Sequence, residues 1–181
     1  MDIRITIDAE EPSPDELASL YETAFPDEDL LPLVTALLAL GPGVLSLAAR
    51  EDGRLAGHIL FTYCTLENCR DGPALLGPLA VTPAMQGRGI GTSLIRKGVN
   101  LLMHRGLRRL LVLGDPAYYG PFGFQAEKKI LPPHRLPPHW QAAWQSLCIG
   151  AGEDGPPGGQ LQMPAPWQPR AVWSDQATDT G

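Results

Sequence analysis

The sequence predicts an α/β fold, a sheet covered by helices on both faces, and three observations carry that reading. Apolar stretches at residues 44–50 and 55–66 flank Glu51-Asp52-Gly53-Arg54, and Asp-Gly between two such stretches is a strong hairpin signal. A glycine-rich turn, Gln86-Gly87-Arg88-Gly89-Ile90-Gly91-Thr92, separates the apolar segment 74–81 from a helical pattern at Ile90, Leu94, Ile95, Leu101 and Leu102. The apolar run 110–113 then follows at the distance expected of a right-handed crossover into a parallel strand.

The elements follow in order. Alternation at residues 3–7 gives a first strand. Ser13 or Pro14 opens a helix through Leu17, Leu20, Tyr21 and Ala24, which Pro26 ends. A second helix covers residues 29–40, with Gly41-Pro42-Gly43 as its stop. The hairpin of 44–66 comes next, and a further turn through 67–73 returns the chain as the strand 74–81. The helix that starts near residues 89–92 ends near Gly106. Its internal Gly98 implies close packing, because glycine there otherwise costs about 1 kcal/mol of helix stability. Residues 144–149 make the last strand. Residues 150–170, with Gly155-Pro156-Pro157-Gly158-Gly159, Pro164, Pro166 and Pro169, form loop around at most one short strand. Trp167 and Trp173 pack back on the body or against a second copy of the chain in a homodimer.

At 181 residues the chain is long enough for one domain, expected over 1–149 with an extension over 150–181. Residues 1–7 resemble neither an apolar signal core nor an Arg-rich transit segment. No apolar run approaches the roughly 20 residues that cross a bilayer, so the expectation is a soluble, cytoplasmic protein without a membrane partner. Cys64, Cys69 and Cys148 make no metal spacing with the four histidines and are odd in number, which points to reduced thiols rather than a disulfide framework. His134 and His139 stand among prolines in residues 131–140, the composition of an extended loop.

The chain's net charge is −6, yet no acidic residue lies between Asp71 and Asp115, a stretch that holds Arg88, Arg96, Lys97, Arg105, Arg108 and Arg109. That charge surrounds a turn whose glycines let backbone N–H groups approach a ligand at the positive start of a helix, which favours a phosphate. A solvated helix face accounts for the same spacing. Two phosphate motifs are excluded: no Lys follows the glycines as a P-loop requires, and Thr92 stands where a dinucleotide fingerprint has its third glycine. Net charge and the absence of aromatics within the basic stretch argue against a nucleic-acid partner.

Gln86-x-x-Gly89-x-Gly91, preceded by Leu79-Ala80-Val81-Thr82-Pro83, resembles the [QR]-x-x-G-x-[GA] acyl-CoA loop of the GNAT superfamily of N-acetyltransferases. Residues 110–124 agree, since Tyr119-Gly120-Pro121-Phe122-Gly123-Phe124 resembles that family's Tyr-x-x-x-Gly-Phe; the wording from Gly114 to Tyr119 is similar to an uncharacterised bacterial branch of acetyltransferases. With the strand at Gly57-His58-Ile59, the resemblance covers residues 1–131 well and the rest weakly. It implies a GNAT-like acyl-CoA N-acyltransferase fold, a mixed central sheet with splayed fourth and fifth strands flanked by helices on both faces. It also implies acetyl-CoA as cofactor and acetyl transfer to a primary amine by direct attack.

Carried over residue by residue, the resemblance gives the pyrophosphate to the backbone of Gln86, Gly87, Arg88, Gly89, Ile90, Gly91 and Thr92, with Arg88 adding charge. The pantetheine arm lies along Leu79, Ala80 and Val81, with Ala117 and Tyr119 also near the cofactor. Val81 is the oxyanion donor through its N–H, and Tyr119 is the general acid for the departing thiolate. Pro78 is consistent with a bulge or an ordinary edge strand. Tyr118 is the neighbour that cannot share the cleft, and Phe122 and Phe124 close the core. The general base stays open among Glu22, Asp27, Glu28, Asp29, His58 and Asp115, where Asp115-Pro116 also reads as a turn starter and His58 as a satisfied strand histidine. The acceptor, a small molecule or a peptide, is not specified, and a non-catalytic acyl-CoA-binding or structural module is the rival reading.

Overall fold

The computed structural model describes residues 5–67, 71–150 and 158–173, so Ile3 and Cys69 lie outside the described residues. The strands in chain order are β1 (Ile5–Ala9), β2 (Val44–Glu51), β3 (Arg54–Tyr63), β4 (Thr65–Leu66), β5 (Ala74–Val81), β6 (Arg109–Leu113), β7 (Gln125–Ala126), β8 (Ile130–Leu131), β9 (Trp144–Cys148) and β10 (Gly159–Gln162). The helices are α1 (Pro14–Ala24), α2 (Leu31–Leu38), α3 (Ile90–His104) and the one-turn α4 (Pro116–Tyr119). Two compact units divide the chain: residues 1–62 with 76–104, and residues 63–75 with 105–181.

In the first unit β1, β2, β3 and β5 lie side by side in that order. β2 and β3 are antiparallel, and their turn places Asp52 at φ 47° and Gly53 at φ 83°, the two left-handed positions of a tight hairpin. Paired residues share a face, so Leu45, Leu47, Ile59 and Phe61 point one way while Ser46, Ala48, His58 and Leu60 point the other. β5 returns beside β3, where the Thr82 N–H donates to the Ala56 carbonyl at 2.9 Å. Its regular repeat is interrupted at Gly77, with φ 135°, immediately before Pro78.

α1 starts where the sequence places it. The Ser13 hydroxyl accepts from the Glu16 N–H, the Glu16 carboxylate accepts from the Ser13 N–H at 3.0 Å, and Pro14 fills the first turn. Glu16 and Glu10 also hold the Arg50 guanidinium, tying the helix start to β2. The Arg50 hydrogen bond first, then the Ser13 backbone, pull the Glu16 carboxyl down to about 2. α2 is shorter than the expected 29–40: its cap is Leu30, which offers no side-chain acceptor, and it stops before Gly41 at φ 56°.

α3 lies on the Ile59–Phe61 face. A Cβ on Gly57 would stand 3.0 Å from Ile90 Cγ2 and 3.1 Å from Leu94 Cδ1, and a Cβ on Gly98 would collide with the Phe61 ring. Ile90, Leu94, Ile95 and Leu102 are buried along the same stripe. α1 reaches the opposite face through the Tyr21 hydroxyl, 2.9 Å from His58 Nδ1. The first unit therefore carries helices on both faces of its strands, as the sequence predicts.

In the second unit β6, β9 and β7 form one antiparallel set, and β4, β10 and β8 form another in which β10 is parallel to β8. The expected long strand over 55–66 is split at Cys64, leaving β4 to pair with β10. Trp173 is 1% exposed, its ring 5.9 Å from that of Trp144 and its indole N–H donating to the Trp167 carbonyl at 2.8 Å. The late tryptophans thus pack within their own chain. Among the described residues no helix is long and apolar enough to cross a membrane.

The Gly98 contact makes a direct test. Gly98→Ala should lower unfolding stability by about 1–3 kcal/mol through overpacking, despite alanine's better helix propensity. Adding Phe61→Leu should recover part of the loss in a double-mutant cycle read by urea denaturation. Additive effects would show that the two residues do not press on each other.

Candidate active site

The turn after β5 is built to leave backbone donors uncovered. A short 3-10 turn, Pro83–Met85, leads from Thr82 to Gln86, whose side-chain amide donates back to the Val81 carbonyl at 3.1 Å and closes the loop. Gly87 and Gly89 then take φ 74° and 81°, left-handed conformations that a side chain strains, and no atom lies within 4 Å of either Cβ position. The Gly89 carbonyl accepts the Ser93 N–H at 2.9 Å, which makes Gly89 the residue before the first turn of α3. The N–H groups of Ile90, Gly91 and Thr92 consequently have no acceptor inside the helix. No acidic residue occupies that turn. The loop from Gln86 to Gly89 is exposed, so an anion can approach it.

Strand geometry orients Val81. Thr82 gives its N–H to Ala56 of β3, so the preceding N–H, that of Val81, points to the opposite edge of β5. Leu79 shares that orientation by the period-two repeat, while Ala80 is buried.

The basic stretch is less available than its sequence suggests. The Arg88 guanidinium lies 3.2 Å from Glu51 Oε1 and donates to the Met85 sulfur. Arg105 donates to the Tyr63 hydroxyl, and Arg109 is buried in an ion pair with Glu127 at 3.0 Å. Arg96, Lys97 and Arg108 are exposed. Half of the cations that the sequence groups around the turn are therefore engaged inside the protein, and the backbone donors are the part of the site that the fold leaves open.

In the second unit Asp115 caps α4, accepting the Ala117 N–H at 2.8 Å, with Pro116 in the first helical position. Asp115 is thus spent as a turn starter. Its Asp-Pro wording, read from the sequence as a turn starter, is here the start of a short helix. Tyr119 closes that helix, 9% exposed, its ring edge-on to Tyr118 at 5.0 Å and to Phe124 at 5.5 Å. Gly114 makes room, since a Cβ there would meet the Tyr119 ring. Burial, with the neighbouring Tyr118, raises the Tyr119 phenol above its ordinary range, so it keeps its proton. Its hydroxyl makes no hydrogen bond among the described residues. Tyr118 is 42% exposed, and Phe124 is buried where Phe122 is only half-buried against Tyr118.

Of the bases left open by the sequence, Glu22, Asp27, Glu28 and Asp29 are exposed on α1 and the turn after it. His58 is fully buried in a chain of hydrogen bonds. The Ser46 hydroxyl gives its proton to the Glu10 carbonyl, so it accepts from His58 Nε2–H at 2.9 Å, and His58 Nδ1 accepts from the Tyr21 hydroxyl. Sequence reasoning weighed His58 alone because Tyr21 and Ser46 are distant along the chain. Burial pushes His58 down to about 4, against a smaller upward pull from Glu10, so it is a neutral link between α1 and the sheet.

A family model for the acetyltransferase (GNAT) family matches residues 14–124. The chain is 41% identical over 112 residues to the uncharacterised N-acetyltransferase YjhQ of Escherichia coli K12, a match that spans 59% of this chain and 62% of that relative. It is 30% identical over 124 residues to the uncharacterised N-acetyltransferase YhbS of the same strain, spanning 68% of this chain and 72% of that one. Among solved structures, a GNAT family acetyltransferase from Brucella melitensis in complex with acetyl-CoA aligns with a TM-score of 0.72 and 33% identity over 91% of this chain and 99% of its own. The E. coli YhbS structure in complex with CoA shares the fold at a TM-score of 0.80 and 23% identity, over 93% and 94% of the two chains.

The His58 environment gives a pH test. The neutral imidazole is favoured in the fold, so its contribution is complete above the unfolded value of 6.5 and is lost as pH falls from there toward 4. The loss amounts to about 3 kcal/mol. The Glu16 contribution is lost in a lower window, from 4.5 toward 2. Urea midpoints of the wild type should therefore fall between pH 6.5 and 4 more steeply than those of His58→Gln. Parallel slopes would show that His58 titrates as freely in the folded chain as in the unfolded one.

Proposed function

The chain belongs to the GNAT acetyltransferase family, and we propose that it transfers an acetyl group from acetyl-CoA to a primary amine by direct attack. The observation that carries the reading is the exposed loop 86–89 leading into α3, where left-handed Gly87 and Gly89 and an acid-free helix start leave the N–H groups of Ile90, Gly91 and Thr92 without acceptors inside the helix. A pyrophosphate brings negative charge and several acceptor oxygens to those donors. The solved relative from Brucella melitensis with acetyl-CoA supports the same cofactor here.

Bound acetyl-CoA supplies an acetyl group activated as a thioester. The protein's residues do the rest. The Gln86–Thr92 backbone holds the pyrophosphate, and Gln86 keeps the loop closed on Val81. Leu79 and Val81 would offer the backbone groups that point away from β3 to the pantetheine arm, with Ala117 also assigned to it. The Val81 N–H donates to the oxygen on which charge develops as the amine attacks. Tyr119 holds the proton needed by the leaving sulfur. Burial fixes that proton in place but also makes the phenol a weaker acid, so its help falls at the lower end of the usual range. The amine enters neutral or loses its proton to water, because His58 and Asp115 are committed to structural hydrogen bonds. Cys64 is buried, with burial first pushing its thiol up to about 12, which is unsuited to an acyl-enzyme route.

Two variants separate binding from chemistry. Gly89→Glu should abolish acetyl-CoA binding in calorimetric titration, whereas Gly89→Ala, which carries the same left-handed strain without the carboxylate, should retain part of it. Full affinity in folded Gly89→Glu would sink the loop assignment. Tyr119→Phe should keep cofactor affinity and slow CoA release from an accepted amine by about 100-fold, while Tyr118→Phe changes little. The reverse pattern would move the acid to Tyr118, and silence of both would assign the proton to water.

A further inference from the structure

The second unit contains a cavity of about 650 Å³ that the acetyl-transfer reading does not use. Its volume lies within the range that small-molecule sites occupy. Ile130, Leu136 and Trp144 are buried and form its apolar wall. The Pro-rich stretch 131–140, which the sequence presents as an extended loop, folds over as its other side.

The polar groups around this cavity divide into those already spent and those left over. Glu127 is spent. Its Oε1 accepts the Lys129 and Ile130 N–H groups at 2.6 and 3.1 Å, and its Oε2 accepts from Arg109 at 3.0 Å. Burial raises its pKa, but the Ser146 hydroxyl, those two N–H groups and the Arg109 charge together outweigh it, so the carboxylate stays ionised and neutralised from within. The Trp144 indole N–H is taken by the Ile130 carbonyl, the Gln160 amide by the Pro132 carbonyl, and a His134 ring nitrogen by the Gln168 carbonyl. Gln141 is exposed at the cavity as a neutral amide, and the charged groups that remain are cationic: Lys128 and Arg135 are exposed there and make no ion pair among the described residues.

We propose that this cavity is a ligand site for a small molecule with an apolar body and an oxyanion head, a carboxylate or a phosphate, held by Lys128 and Arg135. The wall supplies the apolar contact, and no acid remains free in it to hold a cationic amine. Only the two basic side chains are open to a charged partner, and a guanidinium suits the paired oxygens of either head.

An indole series isolates the head group on one constant body. Indole-3-acetate and 3-indolyl phosphate carry the two oxyanions, tryptamine carries a cation, and indole-3-acetamide is neutral. Titration of the full chain by ligand-observed and isotope-labelled NMR should show binding of at least one oxyanion, with shifts at residues 126–144, and binding of the amine and amide about tenfold weaker or less. The better of the two oxyanions identifies the head. Arg135→Glu and Lys128→Glu are surface changes that leave the wall intact, and each should weaken the oxyanion by about tenfold or more. Equal affinity across the series, preference for tryptamine, absence of oxyanion binding, or indifference to both charge reversals overturns the proposal. Titrating acetyl-CoA into the same samples keeps the result separate from the acetyl-transfer reading, whose loop lies in the other unit.

Discussion

Close approach of α3 to β3 is the constraint on which the first unit depends. Gly57 under Ile90 and Leu94, and Gly98 against the Phe61 ring, leave no room for a Cβ, so the helix is seated at both its first and its third turn. Two contacts along one axis fix its slide and its tilt. Its N-terminus then stands at a fixed place relative to the end of β5, and the chain has only residues 82–89 in which to connect them. The left-handed φ values of Gly87 and Gly89 are the local consequence, because so short a path must turn sharply and still deliver Ile90 into the core. The exposed N–H groups are thus a product of core packing as much as of the loop itself.

Charge explains less of this site than backbone geometry does. A cluster of six cations in an acidic chain suggests an attractive field, yet Arg88 is drawn to Glu51, Arg105 to the Tyr63 hydroxyl and Arg109 to Glu127. Surface partners of this kind are weak and exchange readily, so Arg88, 40% exposed along its side chain, can leave Glu51 for a stronger anion at little cost. Arg109 is in the opposite position. With 10% of its side chain exposed and its Glu127 partner at 3%, leaving would strand a buried carboxylate, and its role is confined to the fold.

Local signals in the sequence were sufficient wherever a single stretch decides its own structure. The helix start at Ser13-Pro14, the Asp52-Gly53 turn, the stripe along α3 and the close packing at Gly98 are all of this kind, and each stands as read. The readings that shifted depend on partners far along the chain. His58 is silent until Tyr21 and Ser46 are placed on its two ring nitrogens, and the break at Cys64 becomes necessary only because β4 turns to β10, almost 100 residues later in the chain. The cavity beside Trp144 belongs to the same class, since its wall is assembled from β8, the Pro-rich stretch and β9. One local signal was readable and was given the wrong weight: Asp115-Pro116 is a helix start, and the helix it starts is the one that ends on Tyr119.

That short helix also holds the two adjacent tyrosines differently. Consecutive residues in a helix are separated by about 100° around its axis, so the two rings leave α4 in different directions. Tyr119 enters the core, pressed on Gly114 and Phe124, and Tyr118 stays 42% exposed with its ring edge against its neighbour. The Tyr119 ring is held on three sides, by Gly114, Phe124 and Tyr118, whereas Tyr118 keeps the freedom of a surface side chain. The same packing that raises the Tyr119 phenol out of its ordinary range is what holds it still, so positional precision and acid strength are in opposition at this residue.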